Sequence, residues 1–203
     1  MAQAIVRNEV PNSREGERCI GDFVTPKRGN ALLSKNAIPG PVPVIAGGLK
    51  PATYHNAANT VPPVLTISSS GANAGFVSLW GIPVWSSDSS YVDSTMSNEV
   101  YFWYTLLNIR QKEIYDAQTG SAQPHIYPQQ IVDMPMVTIE QSKIAAINEK
   151  LAPLYEMIAA NQAENERLAE LRDALLPKLM SGEIDVSKVG FFGDIHNAKT
   201  GEQ

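Results

Sequence analysis

The residues of this chain best suited to chemistry are few and far apart. His55, His125 and His196 are scattered, with none of the spacings between them that hold a metal ion. The one cysteine, Cys19, lies beside Arg18 but has no histidine near it in sequence, so it reads as a small packing residue rather than a nucleophile. A single cysteine also builds neither a disulfide framework nor a multi-cysteine zinc site. Gly71-Ala72-Asn73-Ala74-Gly75 has the look of a phosphate loop, yet no Lys-Ser/Thr follows it and the next element reads as a strand, so a β-turn is the better assignment. Ser68-Ser69-Ser70 lacks the glycines of a nucleophile elbow. Asp88 and Asp93 could act as a carboxylate pair, but they sit in a serine-rich stretch with no second signal beside them. Val61-Pro62-Pro63-Val64 lacks the polar and aromatic members of an adenine-methyltransferase motif. So poor a catalytic inventory points to a recognition module, not an enzyme, and no metal site or cofactor of its own is expected.

The composition allows a folded core. Of 203 residues, 43% are hydrophobic and 18% charged, which argues against disorder. No apolar run approaches the roughly 18 residues of a membrane span. The opening residues lack the basic-then-apolar order of a signal peptide, so a cytoplasmic location is expected. The net charge of -5 excludes a uniformly basic nucleic-acid binder but leaves room for a local basic patch. Charge is in fact segregated. Arg7, Arg14, Arg18, Lys27, Arg28, Lys35 and Lys50 outnumber the acids of residues 1–50, residues 51–109 contain neither Lys nor Arg, and most of the acid lies from Glu140 onward.

The first two-thirds reads as β-rich and irregular. Short β-branched runs at residues 41–45, 63–67, 75–80 and 82–85 are separated by Gly, Pro, Asn and Ser. Residues 97–112 read as one helix, capped by Ser97, with Val100, Trp103, Tyr104, Leu107 and Arg110 at helical spacing. Residues 120–129 read as a loop leading into a last short strand over 130–134.

The last third reads as one long helix. Thr138 and Gln141 have the spacing of a capping box. Ile144, Ile147, Leu151, Leu154, Ile158, Asn161, Asn165, Leu168, Arg172, Leu175 and Leu179 then form a seam at spacings of three and four over about five heptads. Pro153 is expected to kink the helix or start a second one, and Gly182 to cap its end. A helix over residues 141–180 would be about 60 Å long. That is too long to bury its seam against the preceding domain alone, so a partner helix is expected; the plainer alternative is that it folds back on its own domain. The expected division is a recognition domain over 1–139, a helix over 140–182 and a weakly patterned tail over 183–203 in which Phe191-Phe192 could dock.

At this point the residues resemble a known family. The markers are Gly21-Asp22-Phe23-Val24-Thr25-Pro26-Lys27-Arg28-Gly29, then Val42-Pro43-Val44-Ile45-Ala46-Gly47-Gly48 and Ile67-Ser68-Ser69-Ser70-Gly71-Ala72-Asn73-Ala74-Gly75-Phe76-Val77. They continue with Gly120-Ser121-Ala122-Gln123-Pro124-His125-Ile126, Met134-Pro135-Met136-Val137-Thr138-Ile139-Glu140-Gln141 and Leu171-Arg172-Asp173-Ala174-Leu175-Leu176-Pro177-Lys178-Leu179-Met180-Ser181-Gly182-Glu183-Ile184. In order and spacing, over residues 18–186, these resemble the specificity subunit of type I restriction-modification systems. Such a subunit usually holds two target-recognition domains, each followed by a helix; this chain has the length of one half.

The resemblance implies an α+β fold in which a mixed, irregular β-rich target-recognition domain precedes a long helix that pairs as an antiparallel coiled coil in a homodimer. It implies a non-catalytic subunit that reads a bipartite, palindromic site on double-stranded DNA. Its partners would be adenine-specific DNA methyltransferase subunits and an ATP-dependent restriction subunit, with S-adenosylmethionine and ATP held by those partners. Lys27, Arg28, Lys35 and Lys50 are then the phosphate candidates, because cations supply the sequence-independent part of DNA binding. Asn36, Tyr54, His55, Asn56, Ser69, Asn73 and Gln123 carry the donors and acceptors that base readout needs. The partner-helix candidates are Ile144, Ile147, Leu151, Leu154, Ile158, Asn161, Asn165, Leu168, Leu175 and Leu179. Three alternatives stay open: a recognition module serving another methyltransferase assembly, a β-rich ligand-binding or adhesion domain with a coiled-coil helix, and a hydrolase using His125 or Asp88.

Overall fold

A computed structural model describes residues 1–120 and 122–184 of the chain. The predicted positions Ser121, Phe191, Phe192 and His196, with the rest of the tail beyond Ile184, lie outside the described residues. In chain order the elements are α1 (Ala2–Glu9), β1 (Arg18–Cys19), β2 (Lys27–Arg28), β3 (Val42–Ile45), β4 (Thr53–His55), β5 (Val64–Ser68), β6 (Val77–Trp80), β7 (Trp85–Ser86) and β8 (Ser89–Asp93). There follow α2 (Val100–Ile109), α3 (Gln111–Asp116), α4 (Pro128–Val132), β9 (Pro135–Met136) and α5 (Gln141–Met180). The fold is α+β with small irregular sheets and a long C-terminal helix, as the sequence predicts. The chain divides into two compact units, residues 1–159 and residues 160 onward. Among the described residues no helix is long and apolar enough to cross a membrane.

Unit 1 is organised by a four-stranded antiparallel sheet in the order β2-β8-β5-β6. All five residues of β5 and all five of β8 are buried. For β5 this follows from Val64, Leu65 and Ile67. The strand β8 is Ser-Ser-Tyr-Val-Asp, a poor strand by propensity, and it was not predicted. Two of its polar side chains, Ser89 and Asp93, find partners inside, while the Ser90 hydroxyl is buried without one. Ser86 and Ser89 share a hydroxyl contact of 2.8 Å, and Ser89 Oγ donates to the Ile45 carbonyl. Asp93 accepts from the Val61 N–H and from the Thr95 N–H and hydroxyl. Asp93 is therefore a buried turn-forming residue and not half of a carboxylate pair with Asp88. A second sheet, β4-β3-β7, pairs β3 antiparallel with β4 and parallel with β7. It rests on a small separate core of Ile45, Val64, Val84 and Tyr91.

The main core lies between the four-stranded sheet and the helices. Phe102, Trp103, Leu106 and Leu107 of α2 pack there with Val6 of α1 and with Ile144, Ile147 and Leu151 of α5. The single helix expected over 97–112 is instead α2 and α3, broken at Arg110. The break lets the fully buried Arg110 bond Glu113 twice (2.9 and 2.7 Å) and the Pro135 carbonyl (2.7 Å). Ser97 is not the cap expected of it: α2 starts at Val100 with Glu99 at the N-cap, and the Ser97 hydroxyl accepts the Glu99 N–H ahead of the helix. The strand expected over 130–134 is also corrected. Pro128 occupies the first turn of α4 and the Gln130 side chain accepts the Tyr127 N–H at 2.7 Å, which together start a helix. α5 begins at Gln141, so Thr138 and Gln141 are not its capping box. The helix runs through Pro153, where the carbonyl left without its N–H partner belongs to the exposed Glu149. It ends at Met180, and Gly182 just beyond takes the φ of +75° expected of a C-terminal cap.

Three tests follow from this packing. Leu151→Ala removes a fully buried side chain and should lower the unfolding free energy by about 2–5 kcal/mol in urea titrations. Lys112→Ala breaks only a solvent-exposed pair with Asp116 and should cost under about 1 kcal/mol. Tyr101 stacks on Tyr155, and Tyr104 meets Tyr155 edge-on. Burial pushes all three phenols above their ordinary value. The protonated form is thus favoured by folding, so their contribution is complete below about pH 10 and is lost as pH rises through the raised values. Melting temperature should fall on the alkaline side, and Tyr155→Phe should flatten that limb.

Candidate nucleic-acid interface

Register fixes the first cluster of polar side chains. β2 lies at the edge of the four-stranded sheet, with Lys27 opposite Tyr91 and Arg28 opposite Ser90. Both cations are exposed. Just before β8, Asp88 accepts a hydrogen bond from Arg28 Nη2 at 2.9 Å and another from the Ser70 hydroxyl. The Arg28 guanidinium lies 5.7 Å from the centre of the Tyr127 ring, which stacks at 6.1 Å with His125. The backbone ties the loops together: the Ser69 N–H reaches the Asp88 carbonyl, the Gly71 N–H that of Pro124, and the Ile126 N–H that of Ser69. Gly71 turns the chain with φ of +82°, a conformation that favours glycine. Gly47, at the end of the β3 hairpin arm, packs its backbone against the Ser70 carbonyl so closely that no Cβ fits.

The second cluster sits on the smaller sheet. Lys35 and Asn36 lie on an exposed 3-10 turn, Ser34–Asn36. The loop after it is held to β4, because the Ile38 N–H donates to His55 Nδ1 at 3.0 Å. Tyr54 is 54% exposed on β4, and Asn56 is exposed beside it. Lys50 lies on the exposed turn between β3 and β4.

The structure thus brings Arg28, Asn73 and Gln123 to one set of loops, and Lys35, Asn36, Tyr54 and Asn56 to another. Two candidates are corrected. Ser69 is 1% exposed and cannot reach a base edge; it bonds through its backbone. His55 is buried edge-on against Trp85 and serves the loop fold. Sequence reasoning missed Tyr127 and the role of Asp88. Tyr127 gave no signal in its surroundings, and only the sheet register puts Asp88 beside Arg28. Among the described residues no group of three His, Cys, Asp or Glu side chains could hold a metal ion. The arrangement offers donors, acceptors and aromatic faces.

The partner-helix candidates divide. Ile144, Ile147 and Leu151 are buried in the core of unit 1, which corrects their assignment to a partner surface, and Leu154 is half-buried. Ile158, Leu168, Leu175 and Leu179 are exposed, with Asn161 and Asn165 between them. Leu171 and Leu176, outside the predicted seam, are exposed as well.

No family model matches the chain. Over 99 residues, 48% of this chain and 23% of the relative, it is 35% identical to the type I restriction enzyme MjaIX specificity subunit of Methanocaldococcus jannaschii. Over 68 residues, 34% of this chain and 15% of the relative, it is 32% identical to the type I restriction enzyme HindI specificity subunit of Haemophilus influenzae. The chain resembles type I specificity subunits in sequence. Its fold matches that of a type I restriction-modification S subunit from M. genitalium with a TM-score of 0.63, at 21% identity, over 81% of this chain and 45% of that one. The matches cover less than a quarter of each curated specificity subunit and under half of the solved one.

The join between Gly47 and Ser70 gives a direct test of loop coupling. Gly47→Ala should force the Ser70 carbonyl aside and cost about 1–3 kcal/mol in denaturant titrations. Gly71→Asn has open space around it and should cost about 1 kcal/mol or less, since Asn tolerates the left-handed region.

Proposed function

We propose that this chain is a non-catalytic DNA-specificity subunit of a type I restriction-modification complex. The observation that carries the proposal is the sequence similarity to two specificity subunits. Its recognition domain, residues 1–139, reads DNA through the loops described above. Lys27, Lys35 and Lys50 face phosphates, and Asn36, Tyr54, Asn56, Asn73 and Gln123 face base edges. A single recognition domain can read one half-site. Two copies therefore pair the exposed part of the 140–182 helix, from Ile158 to Leu179, antiparallel in a homodimer. A twofold dimer reads two identical half-sites related by a dyad, so the target is a palindrome split by an unspecified spacer. The dimer recruits adenine-specific methyltransferase subunits, which hold S-adenosylmethionine, and an ATP-dependent restriction subunit. The chain itself binds no cofactor and works in the cytoplasm.

Exposure supports this reading. Leu168, Leu171, Leu175, Leu176 and Leu179 lie open on 12 residues of one helix, and such apolar surface marks an interaction site. The test is long-read mapping of adenine methylation across the source genome, with and without the gene. We expect one split palindromic motif to lose nearly all methylation on deletion. Loss of an asymmetric motif would replace the homodimer with pairing to a different half-subunit. No change at any motif would move the non-DNA ligand-binding module ahead.

A further inference from the structure

The Arg28–Asp88 pair carries an assignment beyond a general DNA surface, and this assignment rests on the function proposed above. We infer that Arg28 is a guanine reader, with Asp88 the positioning residue that aims it. A cation that serves a phosphate works best with its charge uncompensated. Arg28 is neutralised at 2.9 Å by Asp88, so the pair adds little net charge to the surface. What remains is geometry. The Asp88 carboxylate takes one Nη2 proton of the guanidinium, and its other oxygen is anchored by the Ser70 hydroxyl. The Tyr127 ring gives the guanidinium a flat neighbour 5.7 Å away. Arg28 stays 43% exposed, and among the described residues Asp88 is its only hydrogen-bond partner. A planar fork held on one edge by a carboxylate and backed by a ring presents its remaining N–H groups in a fixed direction. That matches the paired acceptors O6 and N7 of guanine in the major groove. Lys27, Lys35 and Lys50 have no recorded ion pair among the described residues, and they keep the charge a phosphate needs.

The test uses the chain purified with co-expressed methyltransferase subunits. The probes are duplexes of the motif whose methylation depends on this gene, and a set in which each guanine is replaced in turn. Wild type should discriminate about tenfold at one guanine per half-site. R28K keeps the charge and loses the fork, so it should bind all four bases at that position within about twofold, with other positions unchanged. D88N should weaken the same discrimination. It should also raise affinity for a motif-free duplex and steepen its salt dependence by close to one phosphate per copy, because the Arg28 charge is no longer compensated. A purely structural role for Asp88 would lower the melting temperature without changing discrimination at that one guanine more than at the others. R28K retaining discrimination at every guanine would overturn the inference, as would equal loss of affinity for every duplex with the variant's melting temperature unchanged. If no motif depends on the gene at all, the proposed function fails, and the inference falls with it.

Discussion

Strand β8 is hydrogen-bonded between β2 and β5, and most of unit 1 takes its position from that pairing. The register puts Ser90 between Arg28 on one side and Ile67 on the other, and Ser89 opposite Ser68. Side chains alternate along a strand, so a slip of one residue would turn every one of them to the opposite face. Burial on both faces forbids the slip, because Tyr91 and Val92 have cores waiting on opposite sides of the sheet. The polar cluster is therefore a by-product of core packing. Arg28, Asp88 and Ser70 come from three separate stretches of chain, and they meet because the strands beside them have one admissible alignment.

This is also why the site was only partly legible in the sequence. The runs at Val42–Ile45, Val64–Ser68 and Val77–Trp80 carry β-branched residues between turn formers, and they fold as strands. The basic residues before Pro51 drew attention to Lys27 and Arg28. The serine-rich β8 stayed hidden, since propensity cannot see a hydroxyl such as that of Ser89, which is satisfied by Ile45 and Ser86. With β8 hidden, Asp88 looked like a loop carboxylate and Arg28 like a free cation. α4 was hidden for a different reason: its stability comes from a proline in the first turn and one glutamine reaching back, both easily taken for loop chemistry. The fold class and the long helix were legible because heptad spacing over many turns is a redundant signal, whereas a side chain's partner across a sheet is written nowhere nearby.

The C-terminal helix shows how one periodic pattern can serve two ends. Its seam is continuous in sequence from Ile144 to Leu179, but the surroundings change along it. Ile144, Ile147 and Leu151 are sealed into the core beside α2, and Lys150 meets Glu9 of α1 at 2.6 Å. The ion pair holds the Glu9 carboxyl below its ordinary range. From Ile158 onward the same spacing carries exposed leucines. Period alone cannot tell a core-facing stripe from an interface stripe, since both obey the same helical geometry.

The two apolar cores of unit 1 are unequal, and the smaller has consequences for variation. Ile45, Val64, Val84 and Tyr91 support the β4-β3-β7 sheet, while the large cluster under α2 and α5 holds the rest. The two cores meet through one sheet, since Val64 and Tyr91 of the smaller adjoin Leu65 and Val92 of the larger in sequence, so substitutions in them couple rather than add. A change at Val64 or Tyr91 is therefore felt on both faces of the four-stranded sheet at once.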